Sequence, residues 1–130
     1  MTISEVSRKY GLSPDALRYY ERVGAIPPVP RSASGVREYG KTECGWVELA
    51  TCMRAAGLPM EALAEYVRLY GEGEGTLAAR KALLERERDA LAGQIAAMQA
   101  ALKRLDFKVS RYEAALKTGV LDFNEGGDEA

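Results

Sequence analysis

Arg18 and Tyr19 stand side by side near the start of the chain, and Arg37 and Tyr39 follow on a separate segment. A guanidinium and a phenol can both reach phosphate oxygens or base edges in the major groove of DNA. Taken alone, Arg18 and Tyr19 read equally well as a solvated arginine and a half-buried tyrosine. The second pair, at the spacing of a second backbone contact, favours DNA. Ser13 and Pro14 place the free amides of a helix N-terminus beside them, a ready phosphate site, although capping alone explains both residues. Arg31 and Arg54 are further candidate contacts, whereas Arg8 and Arg22 are read as surface. The remaining chemistry is sulfur: Cys44 and Cys52 lie eight residues apart on one expected helix. That is about 12 Å along the axis, too far for a disulfide, so any reactivity would be that of a single thiolate.

The chain has 130 residues, 47% hydrophobic and 28% charged, with five prolines and no histidine. This is the usage of one globular or long-helical domain, not of a disordered chain or a large multidomain enzyme. Without histidine, the commonest general base and the commonest neutral metal ligand are missing. No nucleophile–base pair, cofactor fingerprint or paired carboxylates appear, so a non-enzymatic protein with no cofactor and no metal is expected. No apolar run approaches a membrane span, and the first residues lack the build of a signal peptide, which places the protein in the cytoplasm, associated with the nucleoid if it binds DNA. The net charge of −1 hides an asymmetry: residues 1–40 carry six bases against four acids, whereas the last twelve residues carry four acids and no base.

The elements that must position these residues are legible in turn. Thr2-Ile3-Ser4-Glu5 fits a capping box, and Gly11 supplies the left-handed residue that ends a helix. Ser13-Pro14 opens a second helix to about Val23, with Leu17 and Tyr20 turned to the core and Arg18 and Tyr19 elsewhere. Two short helices joined by a few residues that include glycine outline a helix-turn-helix. Between Ile26 and Tyr39, three prolines and a Ser-Ala-Ser-Gly turn predict a small hairpin, or wing. A helix over 42–56 places Trp46, Leu49, Ala50 and Met53 on one arc, and another over 59–70 places Leu63, Val67 and Tyr70 on one face. Residues 72–76, alternating glycine and glutamate, read as a hinge rather than a phosphate loop, because the glutamates would repel phosphate.

From Leu77 a heptad is sustained: Leu77, Leu84, Leu91, Met98, Leu105 and Tyr112 form one seam position, and Ile95, Leu102, Val109 and Leu116 the other. This is the pattern of a coiled-coil helix. Lys81 and Arg88 occupy the second seam position in the first two heptads, so the start of that helix must lie against something other than a dry partner seam. A helix of this length spans on the order of 60 Å, more than a small head can cover, so a second copy of the chain is implied. The resulting division is a head over 1–71, a hinge over 72–76, a dimerisation helix over 77–118 and a flexible acidic tail over 119–130. A coiled-coil interaction module would need the heptads alone; it would have no use for Arg18, Tyr19, Arg37 and Tyr39 on one side of a head.

The order of these parts, with the strings Leu17-Arg18-Tyr19-Tyr20-Glu21, Ser34-Gly35-Val36-Arg37-Glu38-Tyr39 and Arg54-Ala55-Ala56-Gly57-Leu58, resembles the MerR family of bacterial transcription regulators over residues 2 to about 118. Val36, Gly40 and Pro59 depart from its usual pattern, which affects local helix ends. The resemblance implies a mainly α fold: a homodimer joined by an antiparallel coiled coil, whose two winged helix-turn-helix heads grip one pseudo-palindromic double-stranded promoter, distort it and act on RNA polymerase. Metal-sensing members of that family carry ligand cysteines at the dimerisation helix and the loop after it, and this chain has none there. Cys52, with Leu105-Asp106-Phe107-Lys108-Val109 and Tyr112-Glu113 near the chain end, resembles the aldehyde- and electrophile-responsive branch, which implies a sensor role for Cys52. The alternatives are that Cys52 is a small, partly buried hydrophobe, or a bystander to a small molecule docked non-covalently between the head and the partner's coil.

Overall fold

The computed structural model describes residues 1–122, which fold into α1 (Ile3–Tyr10), α2 (Pro14–Arg22), α3 (Lys41–Ala55), α4 (Met60–Gly71), a 3-10 turn (Glu74–Thr76) and α5 (Leu77–Thr118). They form two compact units, Met1–Leu91 and the described residues from Ala92 onward.

In the first unit the expected local signals set the helix ends. Glu5 N donates to Thr2 Oγ1 at 3.2 Å and Thr2 N returns a bond to Glu5 Oε1 at 2.8 Å. The Thr2 amide holds the Glu5 carboxyl below its ordinary pKa. Gly11 ends α1 at φ 71°, donating to Ser7 O at 3.0 Å. Two residues later Ser13 Oγ accepts from Ala16 N at 3.0 Å and Pro14 takes the first helical position. Val6 from α1 and Leu17 and Tyr20 from α2 close against one another, joined by Ile26, Val29, Tyr39, Val47 and Ala50.

The expected hairpin is reduced to a single antiparallel bridge, Arg31 to Arg37, around a turn in which Gly35 N donates to Ser32 O at 2.9 Å. Proline lacks an N–H and cannot extend a ladder, so Pro27, Pro28 and Pro30 keep the entering arm from becoming a strand. Two of the predicted helix faces are rotated. α3 buries Val47 and Ala50, with Trp46 and Met53 only partly covered, and α4 buries Ala62, Leu63 and Leu69 and leaves Tyr70 exposed. The reason is a second contact layer: the Trp46 ring meets Tyr70 edge-on at 5.0 Å and Tyr66 at 6.1 Å.

The glycine-rich junction is tied down by side chains. The Thr76 hydroxyl shares its proton between Leu69 O (2.7 Å) and Gly73 O (2.8 Å), and Arg80 donates to Thr76 Oγ1 (3.0 Å) and Gly73 O (3.1 Å). The first unit continues past this junction to Leu91 because α5 buries Leu83, a residue off the heptad seam, beside α3 and α4. That accounts for the charges at Lys81 and Arg88: here the helix face that matters is not the seam.

In the second unit the seam faces solvent. Ile95, Met98, Leu102, Leu105, Val109, Tyr112 and Leu116 are all exposed, from 48% at Ile95 to 87% at Leu116. Gly119 ends α5 at φ 81°, and Arg111 Nε donates to Asp122 O at 2.7 Å. Of the expected acidic tail, residues 123–130 lie outside the described residues.

Candidate nucleic-acid interface

α2 is amphipathic in the sense needed for a reading helix. Leu17 and Tyr20 are buried while Arg18 and Tyr19 face solvent. Arg18 pairs with Asp15 at 2.9 Å one turn earlier, both side chains open to water. Such exposed pairs are worth only about 0.2–1 kcal/mol, so Arg18 can exchange Asp15 for a phosphate or a base at little cost. The Arg22 guanidinium lies 5.1 Å over the Tyr19 ring, which brings Arg22, read from sequence as plain surface, into the same cluster. Ser13 and Pro14 sit at the N-terminus of this helix as expected.

The wing is held differently. Arg31 Nη1 donates to Gly35 O at 3.0 Å across the turn and stays exposed. Arg37 does not project freely: its Nε donates to Glu21 Oε1 at 2.7 Å, with the two side chains only 21% and 16% exposed. Glu21 Oε2 also accepts from Val29 N at 3.0 Å. Partial burial works against the Glu21 charge, but the bonds from Arg37 and Val29 outweigh it and hold the carboxyl below its ordinary pKa. Glu21 belongs to the Leu-Arg-Tyr-Tyr-Glu string, yet its partners lie eight and sixteen residues away, beyond any helical spacing.

Tyr39 is corrected outright. Expected beside Arg37 as a DNA contact, it is 1% exposed in the centre of the core, and its hydroxyl has no hydrogen-bond partner among the described residues. Burial pushes its pKa up. Arg54 serves the fold, donating to Leu58 O at 2.6 Å across the end of α3. Cys52 is exposed and Cys44 half-buried, its thiol 3.9 Å from the Met1 sulfur. Next to Cys52 in sequence, Met53 lines an open groove of about 710 Å³ with Leu58, Tyr66, Leu84 and Leu91, rimmed by Arg80, Lys81 and Arg88.

Residues 1–69 match the MerR HTH family regulatory protein and residues 46–107 match the MerR DNA-binding family. The chain belongs to the MerR family of helix-turn-helix regulators. It is 50% identical over 91 residues to the HTH-type transcriptional regulator AdhR of Bacillus subtilis, an alignment that covers 70% of this chain and 65% of AdhR. Among solved structures, a MerR family transcriptional regulator from Listeria monocytogenes superposes with a TM-score of 0.88 at 47% identity, over 92% of this chain and 90% of that one. HiNmlR, a MerR family regulator lacking the sensor domain and bound to promoter DNA, superposes with a TM-score of 0.80 at 26% identity, over 92% of this chain and 95% of its own. The mainly helical architecture of a winged helix-turn-helix head followed by a long coiled-coil helix, expected from the sequence, is the one this family and its structures share. Among the described residues no helix is long and apolar enough to cross a membrane.

Proposed function

We propose that this MerR-family protein binds double-stranded promoter DNA as a homodimer, lays α2 of each head in the major groove, and distorts the promoter so that RNA polymerase can use it. The observation that carries the reading is the outward cluster of Arg18, Tyr19 and Arg22 on α2, beside a capped helix N-terminus, in a chain that aligns along nearly its whole length with a DNA-bound relative. A promoter bend costs roughly 1–10 kcal/mol of DNA deformation, which the phosphate contacts of two heads offset. Two heads require two chains, and the exposed apolar seam from Ile95 to Leu116 supplies the surface that would join them. Footprinting on the chain's own upstream region tests the reading. Arg18→Ala is expected to weaken protection by about 1–3 kcal/mol, and wild-type binding should fall steeply with salt; a footprint unaffected by either would sink it.

The signal we assign to Cys52. Cys52 is exposed and is the sequence neighbour of Met53, which lines the apolar groove, and AdhR is a 50% identical relative. Attack of the thiolate on an aldehyde carbonyl forms a sulfur–carbon bond and an alkoxide that takes a proton from water, placing a hydroxyalkyl group on α3 one residue before Met53. Because packed interfaces switch between discrete arrangements, such a wedge can reorient the heads. Promoter activity of wild type, Cys52→Ala and Cys44→Ala with and without formaldehyde decides the matter. Induction that survives Cys52→Ala would assign the groove instead to a non-covalent apolar ligand.

A further inference from the structure

Among the described residues, Glu21 is the one carboxylate that joins the reading helix to both arms of the wing. From the last turn of α2 it accepts Val29 N on the entering arm at 3.0 Å and Arg37 Nε on the returning arm at 2.7 Å. The arms also hold each other through the Arg31–Arg37 bridge, the bonds Glu38 N to Pro30 O (2.8 Å) and Ser32 N to Val36 O (2.7 Å), and side-chain bonds across the turn from Arg31 to Gly35 O (3.0 Å) and from Val36 N to Ser32 Oγ (3.2 Å), but none of these ties them to α2. A wing this short has no sheet to set its angle.

The placement is otherwise hard to account for. A carboxylate on the element that approaches DNA repels phosphate, and Asp15, exposed beside Arg18, is a pair that DNA can displace. Glu21 is not displaceable in that way, since it is mostly buried, has two donors from two segments, and keeps its charge below the ordinary carboxyl pKa. Its bond to Arg37 engages the Nε–H alone, one of five guanidinium donors, and leaves the two terminal nitrogens for a phosphate oxygen.

We infer that Glu21 is a positioning residue for DNA recognition: it fixes the wing against α2 and orients Arg37 so that its terminal nitrogens meet the DNA backbone. The inference rests on the reading of α2 and the wing as the DNA interface, and its sign separates it from a bystander role. Removing a nearby negative charge from a bystander position would tighten binding to a polyanion. Removing it from a positioning residue loosens binding, because Gln can still accept from Val29 N but cannot satisfy both donors as a carboxylate does.

The test uses the full-length protein and a duplex that wild type recovers from a random-sequence pool. Glu21→Gln is expected to weaken binding about tenfold and to lower the slope of log K against log salt by about 0.9 per head, one phosphate contact, with the helical circular dichroism unchanged. Combined with Arg37→Gln, it should cost no more than Arg37→Gln alone, because both changes remove the same contact. Glu21→Asp, which keeps the charge but withdraws it by one methylene, is expected to show the same loss, and it carries the comparison if the glutamine variant does not fold. Binding by Glu21→Gln as tight as wild type or tighter, or losses that add with Arg37→Gln, would overturn the inference. Failure of the wild type to retain any duplex would instead remove the DNA reading and this inference with it.

Discussion

The guanidinium of Arg80, in the first turn of α5, lies 5.1 Å over the ring of Tyr70, in the last turn of α4. The same side chain donates to Thr76 Oγ1 and Gly73 O, so one residue closes the turn between the two helices from three directions. A cation over an aromatic face contributes about 0.5–1 kcal/mol at such a site, and hydrogen bonds from a charged donor about 1.5–3 kcal/mol when well enclosed. Arg80→Ala is therefore expected to destabilise the head by about 2 kcal/mol in urea titrations. Arg80→Lys should recover little, because an ammonium on an unbranched stem cannot hold both acceptors and the ring. Trp46, the chain's single tryptophan, meets Tyr70 edge-on and reports the change through its fluorescence. Unchanged midpoint and emission in Arg80→Ala would show that the Thr76 hydroxyl and the backbone bonds hold the junction without Arg80.

Tyr39 makes the opposite kind of prediction, in which removing a polar atom helps. Its buried hydroxyl has no partner among the described residues, and an unsatisfied buried polar group costs about 1–3 kcal/mol. Tyr39→Phe is expected to leave stability unchanged or raise it by up to about 1 kcal/mol near neutral pH. At alkaline pH the direction is firm. The folded pKa is raised above the ordinary 10.0, so the stabilisation is fully present below 10.0 and is lost as pH rises through the folded value. Tyr39→Phe should flatten that alkaline limb and leave operator affinity intact. A loss of DNA binding in this variant would return Tyr39 to the interface.

These two residues also mark where the sequence was readable. Thr2 with Glu5, Gly11, and Ser13 with Pro14 announce their helix ends because capping acts over three or four residues, within the reach of a local pattern. The outward turn of Arg18 and Tyr19 follows from helical periodicity in the same way. Tyr39 was misplaced because it lies in an irregular segment, where no period separates an inward from an outward side chain. The role of Glu21 has no signal in the sequence, because its two donors come from segments that tertiary folding alone brings to it. The faces of α3 and α4 were misjudged where Trp46, Tyr66 and Tyr70 built a second aromatic layer that the single-stripe rule does not anticipate.

Gly45, inside α3, offers a stabilising change with no functional cost. It is exposed, its backbone is helical, and a Cβ built there meets nothing within 4 Å. Glycine in a helix interior is less favourable than alanine by about 0.5–1 kcal/mol. Gly45→Ala should raise the unfolding free energy by that amount while leaving DNA affinity and its salt slope as they are. A destabilised Gly45→Ala protein would mean that this face of α3 is covered in the assembled regulator.

The strongest demand on assembly comes from Leu102. It lies near the middle of the stretch in which both seam positions are apolar, and it is 58% exposed in the single chain, with Ile95, Met98, Leu105 and Val109 exposed around it. Burying one leucine side chain contributes about 1.5–3 kcal/mol, and an antiparallel pair of helices buries each such residue twice, once from each chain. Leu102→Glu replaces that gain with two carboxylates brought into a seam that offers no cation at its centre. The variant is expected to sediment as a 14.2 kDa monomer at micromolar concentrations at which the wild type sediments as a dimer. Its operator affinity should fall by far more than for any single head variant, because one head alone retains only half the phosphate contacts. Helical content should fall with dissociation, since an isolated amphipathic helix lacks the packing that supports it in water. A wild-type protein that sediments as a folded monomer at those concentrations would contradict the coiled-coil assignment of residues 92–118.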